Sequence, residues 1–122
     1  MNEHDIQNLI RIEFSKQIPY GLLFRLNVGT AWSGSRIQKN SDGSITIFDP
    51  RPFNAGIPPG FSDLFGVLPG GRALFVEVKS LKGKPSDAQT NFLNTVSMRG
   101  ACACIARSIE DVIKIINSSR GS

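Results

Sequence analysis

The sequence has few of the side chains from which zinc sites and disulfides are built. Its 122 residues include two cysteines, Cys102 and Cys104, and one histidine, His4. A structural zinc site needs about four such ligands, so these residues cannot supply a usual one. The two cysteines lie in the apolar run 101–106, where a strand would point both the same way. We interpret them as small core residues rather than a redox pair.

Long apolar runs are also absent. No run approaches the ~18 residues of a transmembrane helix, and the first residues, MNEHD, are polar and acidic, unlike a signal peptide. We therefore expect an intracellular protein, and its compactness would suit a bacterial or phage-encoded one. With 40% hydrophobic and 20% charged residues, the chain can bury a core. We predict a single domain over residues 1–117 and a disordered tail over 118–122.

The charge balance is mildly basic. The net charge is +4 and the sequence pI is about 9.4. Such a balance permits a polyanionic partner but does not require one.

Local patterns predict the order helix, several strands, helix, strand, helix. Asn2 is placed to cap a first helix, which Pro19 and Gly21 would end. A strand at 22–28 follows, and a capping box begins a second helix at Ser86. The other predicted elements are a loop at 29–35, a hairpin at 36–48, a loop at 49–60, a hairpin at 61–80, a central strand at 101–106 and a helix from Ser108 to Ile116.

The hairpin at 61–80 contains two carboxylates within apolar runs, Asp63 and Glu77, followed by Lys79. If the connecting loop has an odd number of residues and is centred on Gly70, Asp63 faces Glu77 with Cβ atoms about 4.5–5.5 Å apart. A two-residue loop on Gly70 and Gly71 would instead place them on opposite faces of the sheet. The register therefore decides whether the two carboxylates can act together.

Facing carboxylates repel each other, and burial adds a desolvation cost. A divalent cation would offset both, and hard oxygen ligands favour Mg²⁺ or Mn²⁺ over zinc. The alternative is that Asp63 ends its strand in solvent and that Glu77 and Lys79 form a surface pair. Local spacing leaves both interpretations open.

Together these residues resemble the catalytic core of the PD-(D/E)xK nuclease superfamily, with "GFSD" ending in Asp63 as one half-motif and "EVK" at 77–79 as the other. "GFSD" departs from a literal Pro-Asp. The surroundings are similar to the VRR-NUC family in particular. The similar segments are "EHDIQ" (3–7), "FRLNVG" (24–29) and "SDAQTNF" (86–92), the last with Phe92 where many members carry Trp.

The resemblance implies an α/β restriction-endonuclease-like fold, a central mixed β-sheet flanked by α-helices, and metal-dependent phosphodiester hydrolysis. Asp63, Glu77 and the main-chain carbonyl of Val78 would hold Mg²⁺ or Mn²⁺. Lys79 would orient the attacking water or stabilise charge on the phosphate.

Two further site residues have competing interpretations. Periodicity places both Glu3 and Glu13 near the apolar face of the first helix, and the family pattern selects Glu3 as a metal ligand. Gln89 is either the glutamine of a capping box or a catalytic residue directed at Lys79 or the phosphate.

The resemblance also implies a nucleic-acid partner. Six basic residues surround the proposed site in sequence and are candidates to bind phosphates, although a solvated basic face explains any one of them equally well: Arg25, Arg36, Lys39, Arg51, Lys82 and Lys84. Trp32 could stack on a base or pack at an interface.

We expect a homodimeric, Mg²⁺-dependent endonuclease that resolves four-way (Holliday) DNA junctions in repair or recombination. The alternatives are a non-catalytic DNA-binding or assembly module, and a nuclease acting on flaps, ordinary duplex or RNA.

Overall fold

The computed structural model describes residues 1–26, 30–54 and 56–118. The helices are α1 (Glu3–Gln17), α2 (Asp87–Met98) and α3 (Ile109–Ser118). The strands are β1 (Leu22–Arg25), β2 (Thr30–Ser33), β3 (Arg36–Lys39), β4 (Ile45–Phe48), β5 (Arg51–Asn54), β6 (Leu64–Val67), β7 (Ala73–Val78) and β8 (Cys102–Ala106). Of the predicted disordered tail, Ser118 belongs to α3 instead, and residues 119–122 lie outside the described part.

The chain divides into two compact units. One unit contains Met1–Asn27 and Pro59–Ser122, and the other contains Val28–Pro58. The prediction of one domain over residues 1–117 stays a prediction. No helix in the described ranges is long and apolar enough to cross a membrane.

The first unit is built on a four-stranded sheet in the order β1-β6-β7-β8. The first three strands pair antiparallel, whereas β8 runs parallel to β7. Because side chains alternate along a strand, Leu74, Val76 and Val78 share one face, where they form the core with residues of α1 and α3. The opposite face carries Phe75, whose ring contacts Phe92 of α2. This mixed sheet flanked by helices confirms the predicted fold class.

Strand β8 is not the central strand that its apolar sequence predicted. Within the described residues it pairs only with β7 and forms an edge of the sheet. Its sequence is apolar because α2 and α3 both pack against it. Cys102 is buried and Cys104 is half-buried beside the core, as expected of small core residues.

The second unit consists of two antiparallel strand pairs, β3 with β4 and β2 with β5. The first pair is the hairpin predicted at 36–48. The second pair corrects the prediction of loops at 29–35 and 49–60, since each of these segments contains a strand. Pro52 lies in β5, and a two-stranded ladder tolerates proline because each strand has a free edge.

Candidate active site

The register of the β6–β7 hairpin places the two carboxylates opposite each other. Leu64 pairs with Val76 and Val67 with Ala73, so the loop of residues 68–72 is centred on Gly70. Gly70 and Gly71 adopt φ values of 94° and 87°, a left-handed conformation that favours glycine. Extending the register by one residue brings Asp63 opposite Glu77. Of the two registers that the sequence left open, the structure has the one with an odd-length loop.

Main-chain N–H groups of the hairpin hold both carboxylates. The N–H of Asp63 donates to Oε2 of Glu77 at 3.2 Å, and the N–H of Val78 donates to Oδ2 of Asp63 at 3.0 Å. The Asp63 carbonyl accepts the Leu26 N–H at 2.8 Å, which ties this corner to the end of β1. The side chains of Asp63 and Glu77 thus accept main-chain hydrogen bonds just beyond the end of the regular β6–β7 pairing.

Glu77 is a buried carboxyl in an unfavourable electrostatic position. Its side chain is 2% exposed. Burial, followed by the charge of Asp63, raises the pKa of Glu77 from 4.5 to about 7, although the Lys79 ammonium opposes the shift. The pair therefore carries repulsion that its protein partners do not fully offset.

Lys79 joins Glu77 to the first helix. Its Nζ lies 3.7 Å from Oε1 of Glu77 and 3.9 Å from Oε1 of Glu3, in the first turn of α1. Glu13 instead contacts Lys16, 3.5 Å away, on the same helix. Of the two candidate helix-one acids, the structure brings Glu3 to the site.

Gln89 takes part in the capping box and in the site at the same time. Its Oε1 accepts the Ser86 N–H at 2.8 Å, while its Nε2 donates to Oε1 of Glu77 at 2.7 Å. The two interpretations of this residue are therefore compatible. The amide is directed at Glu77, not at Lys79 as one of the sequence expectations had it.

Arg107 is a residue of this region that the sequence did not point to. It donates from Nε to the Ser80 carbonyl at 3.2 Å and from Nη2 to the Gly83 carbonyl at 2.7 Å. These bonds fix the loop that follows Lys79. No local pattern links Arg107 to a loop that lies so far back in the sequence.

Gln7 also lies on the buried face of α1, one turn after Glu3. Its side chain is buried, and its Oε1 has no hydrogen-bond partner within the described part of the chain. Gln7 belongs to the "EHDIQ" segment, but the sequence assigned it no role.

The predicted phosphate-binding residues divide between the two units. Arg25, Lys82 and Lys84 are exposed in the unit that contains the carboxylates, and the other three, Arg36, Lys39 and Arg51, are exposed in the second unit. The Arg36 guanidinium lies 4.2 Å from the centroid of the Phe48 ring. Trp32 is 57% exposed, and it lies in strand β2 rather than in the loop that was predicted at 29–35. The roles of these residues in binding nucleic acid stay predictions.

Comparisons with known proteins identify the family of the chain. The family model of the VRR-NUC domain matches residues 1–110. The chain belongs to the VRR-NUC family. A solved structure described as a VRR_NUC domain is 24% identical, covers 94% of each chain and has a TM-score of 0.58. Another, described as a VRR_NUC domain protein, is 20% identical, covers 96% of this chain and 86% of its own, and has a TM-score of 0.52.

At these identities the two solved structures establish the shared fold alone. No curated protein sequence matches the chain. Membership of the VRR-NUC family makes the chain a nuclease-fold protein and implies nuclease activity on DNA.

The oxygen atoms that this VRR-NUC site offers are the type of ligand that a hard divalent cation prefers. Asp63 and Glu77 offer carboxylate oxygens. Burial and, after it, the charge of Asp63 raise the pKa of Glu77, and a divalent cation would offset both effects. Within the described ranges, no group of three or more His, Cys, Asp or Glu side chains is placed to hold a metal ion. Glu3 contacts Lys79 rather than completing such a group. Its role as a ligand, like that of the Val78 carbonyl, stays a prediction.

Proposed function

We propose that this VRR-NUC protein is a divalent-metal-dependent endonuclease that hydrolyses phosphodiester bonds in DNA, with Mg²⁺ as the cofactor and Mn²⁺ as a substitute. The observation that supports this most directly is the Asp63–Glu77 pair, held by reciprocal main-chain hydrogen bonds with Lys79 3.7 Å from Glu77. An acidic pair of this kind, with Glu77 buried and Asp63 half-buried, destabilises a fold unless a bound cation offsets the repulsion and the cost of burial.

Each residue then has a role that follows from its contacts. Asp63 and Glu77 would hold the cation, which when bound supplies charge neutralisation at the phosphate and a lowered pKa for water. Lys79 orients the attacking water or stabilises negative charge that develops on the phosphate. Glu3 restrains the Lys79 ammonium from the side of α1, and Gln89 holds Oε1 of Glu77.

We further propose that the protein is an intracellular homodimer that prefers four-way junctions in DNA repair or recombination. The described part of one chain carries one such site, and resolving a junction requires two incisions related by a two-fold axis. A symmetric dimer supplies two sites in that relation, and two-fold dimers are the commonest oligomers. Exposed basic residues would bind phosphates, which makes junction binding depend steeply on salt.

A cleavage assay tests the proposal directly. Labelled duplex, flap, four-way junction and RNA are incubated with and without Mg²⁺, using the wild type, Glu77→Gln and the matched control Glu13→Gln. Glu13 is also a glutamate, but it lies along α1 away from the carboxylate pair. We expect metal-dependent cleavage by wild type and Glu13→Gln, none by Glu77→Gln, and the junction as the best substrate.

The other outcomes separate the alternatives. Binding without cleavage of any substrate would indicate a DNA-binding or assembly module, and equal cleavage of junction and duplex at about 150 mM salt would remove the junction preference. Light scattering at micromolar concentration tests the assembly, and a monomer there would contradict the dimer.

A further inference from the structure

We propose that Ser86 and Gly60 are positioning residues for Glu77, acting through the first turn of α2 and the side-chain amide of Gln89. The inference rests on the proposed role of Glu77 as a metal ligand. It concerns what orients that ligand before any metal binds.

The amide of Gln89 has one orientation that its neighbours can satisfy. Its Oε1 accepts the Ser86 N–H at 2.8 Å and its Nε2 donates to Oε1 of Glu77 at 2.7 Å. If the amide were turned over, its NH₂ group would face an N–H and its oxygen would face a carboxylate oxygen, so both hydrogen bonds would be lost. The Ser86 N–H therefore determines that a donor faces Glu77.

The hydroxyl of Ser86 fixes the backbone from which Gln89 extends. Its Oγ accepts the Gln89 N–H at 3.1 Å and completes a reciprocal capping box. The two bonds between Ser86 and Gln89 leave the side chain little freedom. The first turn of α2 thus holds the amide in place.

Gly60 brings the chain segment before Asp63 against this same turn. Its φ is +84°, and a Cβ at this position would lie 2.4 Å from the Ala88 carbonyl oxygen and 3.0 Å from the Gln89 nitrogen. Only glycine tolerates both this φ and this closeness to another backbone. A side chain here would push the segment and α2 apart.

These contacts link the two chain segments that donate hydrogen bonds to the Glu77 carboxylate. Gly60 packs against the first turn of α2, Gln89 of that turn donates to Oε1 of Glu77, and Asp63, three residues after Gly60, donates its N–H to Oε2. Both carboxylate oxygens are therefore oriented by the protein alone. Outer partners that hold a ligand in this way raise its metal affinity.

The first experiment compares two serine caps. Ser86→Ala and Ser108→Ala each remove an N-cap hydroxyl, since the Asp111 N–H donates to Oγ of Ser108 at the start of α3. Mn²⁺ affinity is measured by calorimetry. We expect Ser86→Ala to bind Mn²⁺ about 10-fold more weakly, in line with the loss of an outer partner. Ser86→Thr should restore affinity and Ser108→Ala should leave it unchanged.

The second measurement needs no metal. In ¹⁵N NMR of the metal-free protein, the side-chain NH₂ of Gln89 should exchange slowly with solvent because it is hydrogen-bonded. Ser86→Ala should accelerate this exchange and Ser108→Ala should not. Equal Mn²⁺ affinity and equal Gln89 protection in the two alanine variants would overturn the proposal.

A glycine pair tests the contact with α2 separately. Gly60→Ala and Gly70→Ala both place alanine at positive φ, but nothing lies within 4 Å of a Cβ at Gly70. We expect only Gly60→Ala to weaken Mn²⁺ binding, and an equal effect of both would overturn the role of Gly60. If Gly60→Ala does not fold, the Ser86 variants still decide the proposal.

Glu77→Gln in the same titration separates this inference from the proposed function. If Glu77→Gln binds Mn²⁺ like the wild type, Glu77 is not a metal ligand and the proposed function fails at that residue. If it loses binding while Ser86→Ala and Ser108→Ala behave alike, the metal site stands and the positioning role is refuted.

Discussion

The buried carboxyl of Glu77 should make the metal-free protein less stable as the pH rises from about 4.5 to 7. In the folded protein the pKa of Glu77 is raised to about 7, whereas its ordinary value is 4.5. Between these values the folded state holds a proton that the unfolded state has released. Stability falls with pH wherever the folded state binds more protons. This loss of stability is complete once the pH exceeds the pKa of Glu77 in the folded protein.

The size of the effect follows from the two pKa values. Each pH unit between them corresponds to about 1.36 kcal/mol, so the interval from 4.5 to about 7 amounts to about 3 kcal/mol at most. Solvent screening reduces this little, because the side chain is 2% exposed. For a chain of this length, about 3 kcal/mol corresponds to roughly 10 °C in Tm.

Thermal unfolding in EDTA at pH 5, 6, 7 and 8 measures this contribution. Glu77→Gln removes the ionisation but keeps an amide oxygen that can accept from Gln89. The NH₂ group of the new glutamine faces the Asp63 N–H, and this loss of a hydrogen bond lowers stability by an amount that does not vary with pH. We therefore expect the Tm of Glu77→Gln to rise relative to that of the wild type as the pH increases, by roughly 10 °C in total.

Glu13→Gln serves as the control, because Glu13 lies on α1 and contacts Lys16, away from the Asp63–Glu77 pair. Its pH profile should run parallel to that of the wild type. If Glu77→Gln also runs parallel to the wild type, Glu77 ionises normally in the folded protein, and the argument from a strained acidic pair is refuted. Mg²⁺ should raise the wild-type Tm more at pH 8 than at pH 5, since the cation requires the ionised carboxylate.

Three further predictions address single side chains. Asp63→Asn should abolish cleavage while the protein stays folded, and near wild-type cleavage in Mg²⁺ would show that Asp63 is not a ligand. Lys79→Ala should abolish turnover but keep Mn²⁺ binding in calorimetry; loss of that binding would contradict its role toward water or phosphate. Burial raises the pKa of the Cys104 thiol to about 12, so iodoacetamide at pH 8 should leave it unmodified in the native protein, and rapid alkylation would contradict this.

The parts of the fold that could be predicted from the sequence are those with local signals. Asn2 caps α1 and accepts the Asp5 N–H at 2.8 Å, as its position before an amphipathic segment indicated. The sequence also placed the turn of the β6–β7 hairpin at Gly70 and Gly71, although it left the register open between an odd-length loop and a two-residue loop. In both cases the residues that determine the structure are within one turn or one loop of each other.

The parts that could not be predicted depend on distant partners. Strand β2 pairs with β5 across the whole β3–β4 hairpin, and neither segment has a strong strand pattern of its own. The apolar run of β8 predicts burial, but two helices can bury an edge strand as well as two neighbouring strands can bury a central one. Arg107 reaches the loop after β7 only because β7 and β8 are parallel neighbours.

Gln89 shows why a local interpretation and a functional one need not compete. A glutamine amide has two ends, and a capping box uses only its oxygen, which accepts the Ser86 N–H. The NH₂ group remains to be satisfied, and where it is partly buried it needs an acceptor in the protein. Here the acceptor is Oε1 of Glu77, 2.7 Å away. A glutamate in place of Gln89 could also complete a capping box, but it would present an acceptor, and a negative charge, to the Glu77 carboxylate. Capping alone would accept either residue, whereas a cap that also holds a buried carboxylate requires the glutamine.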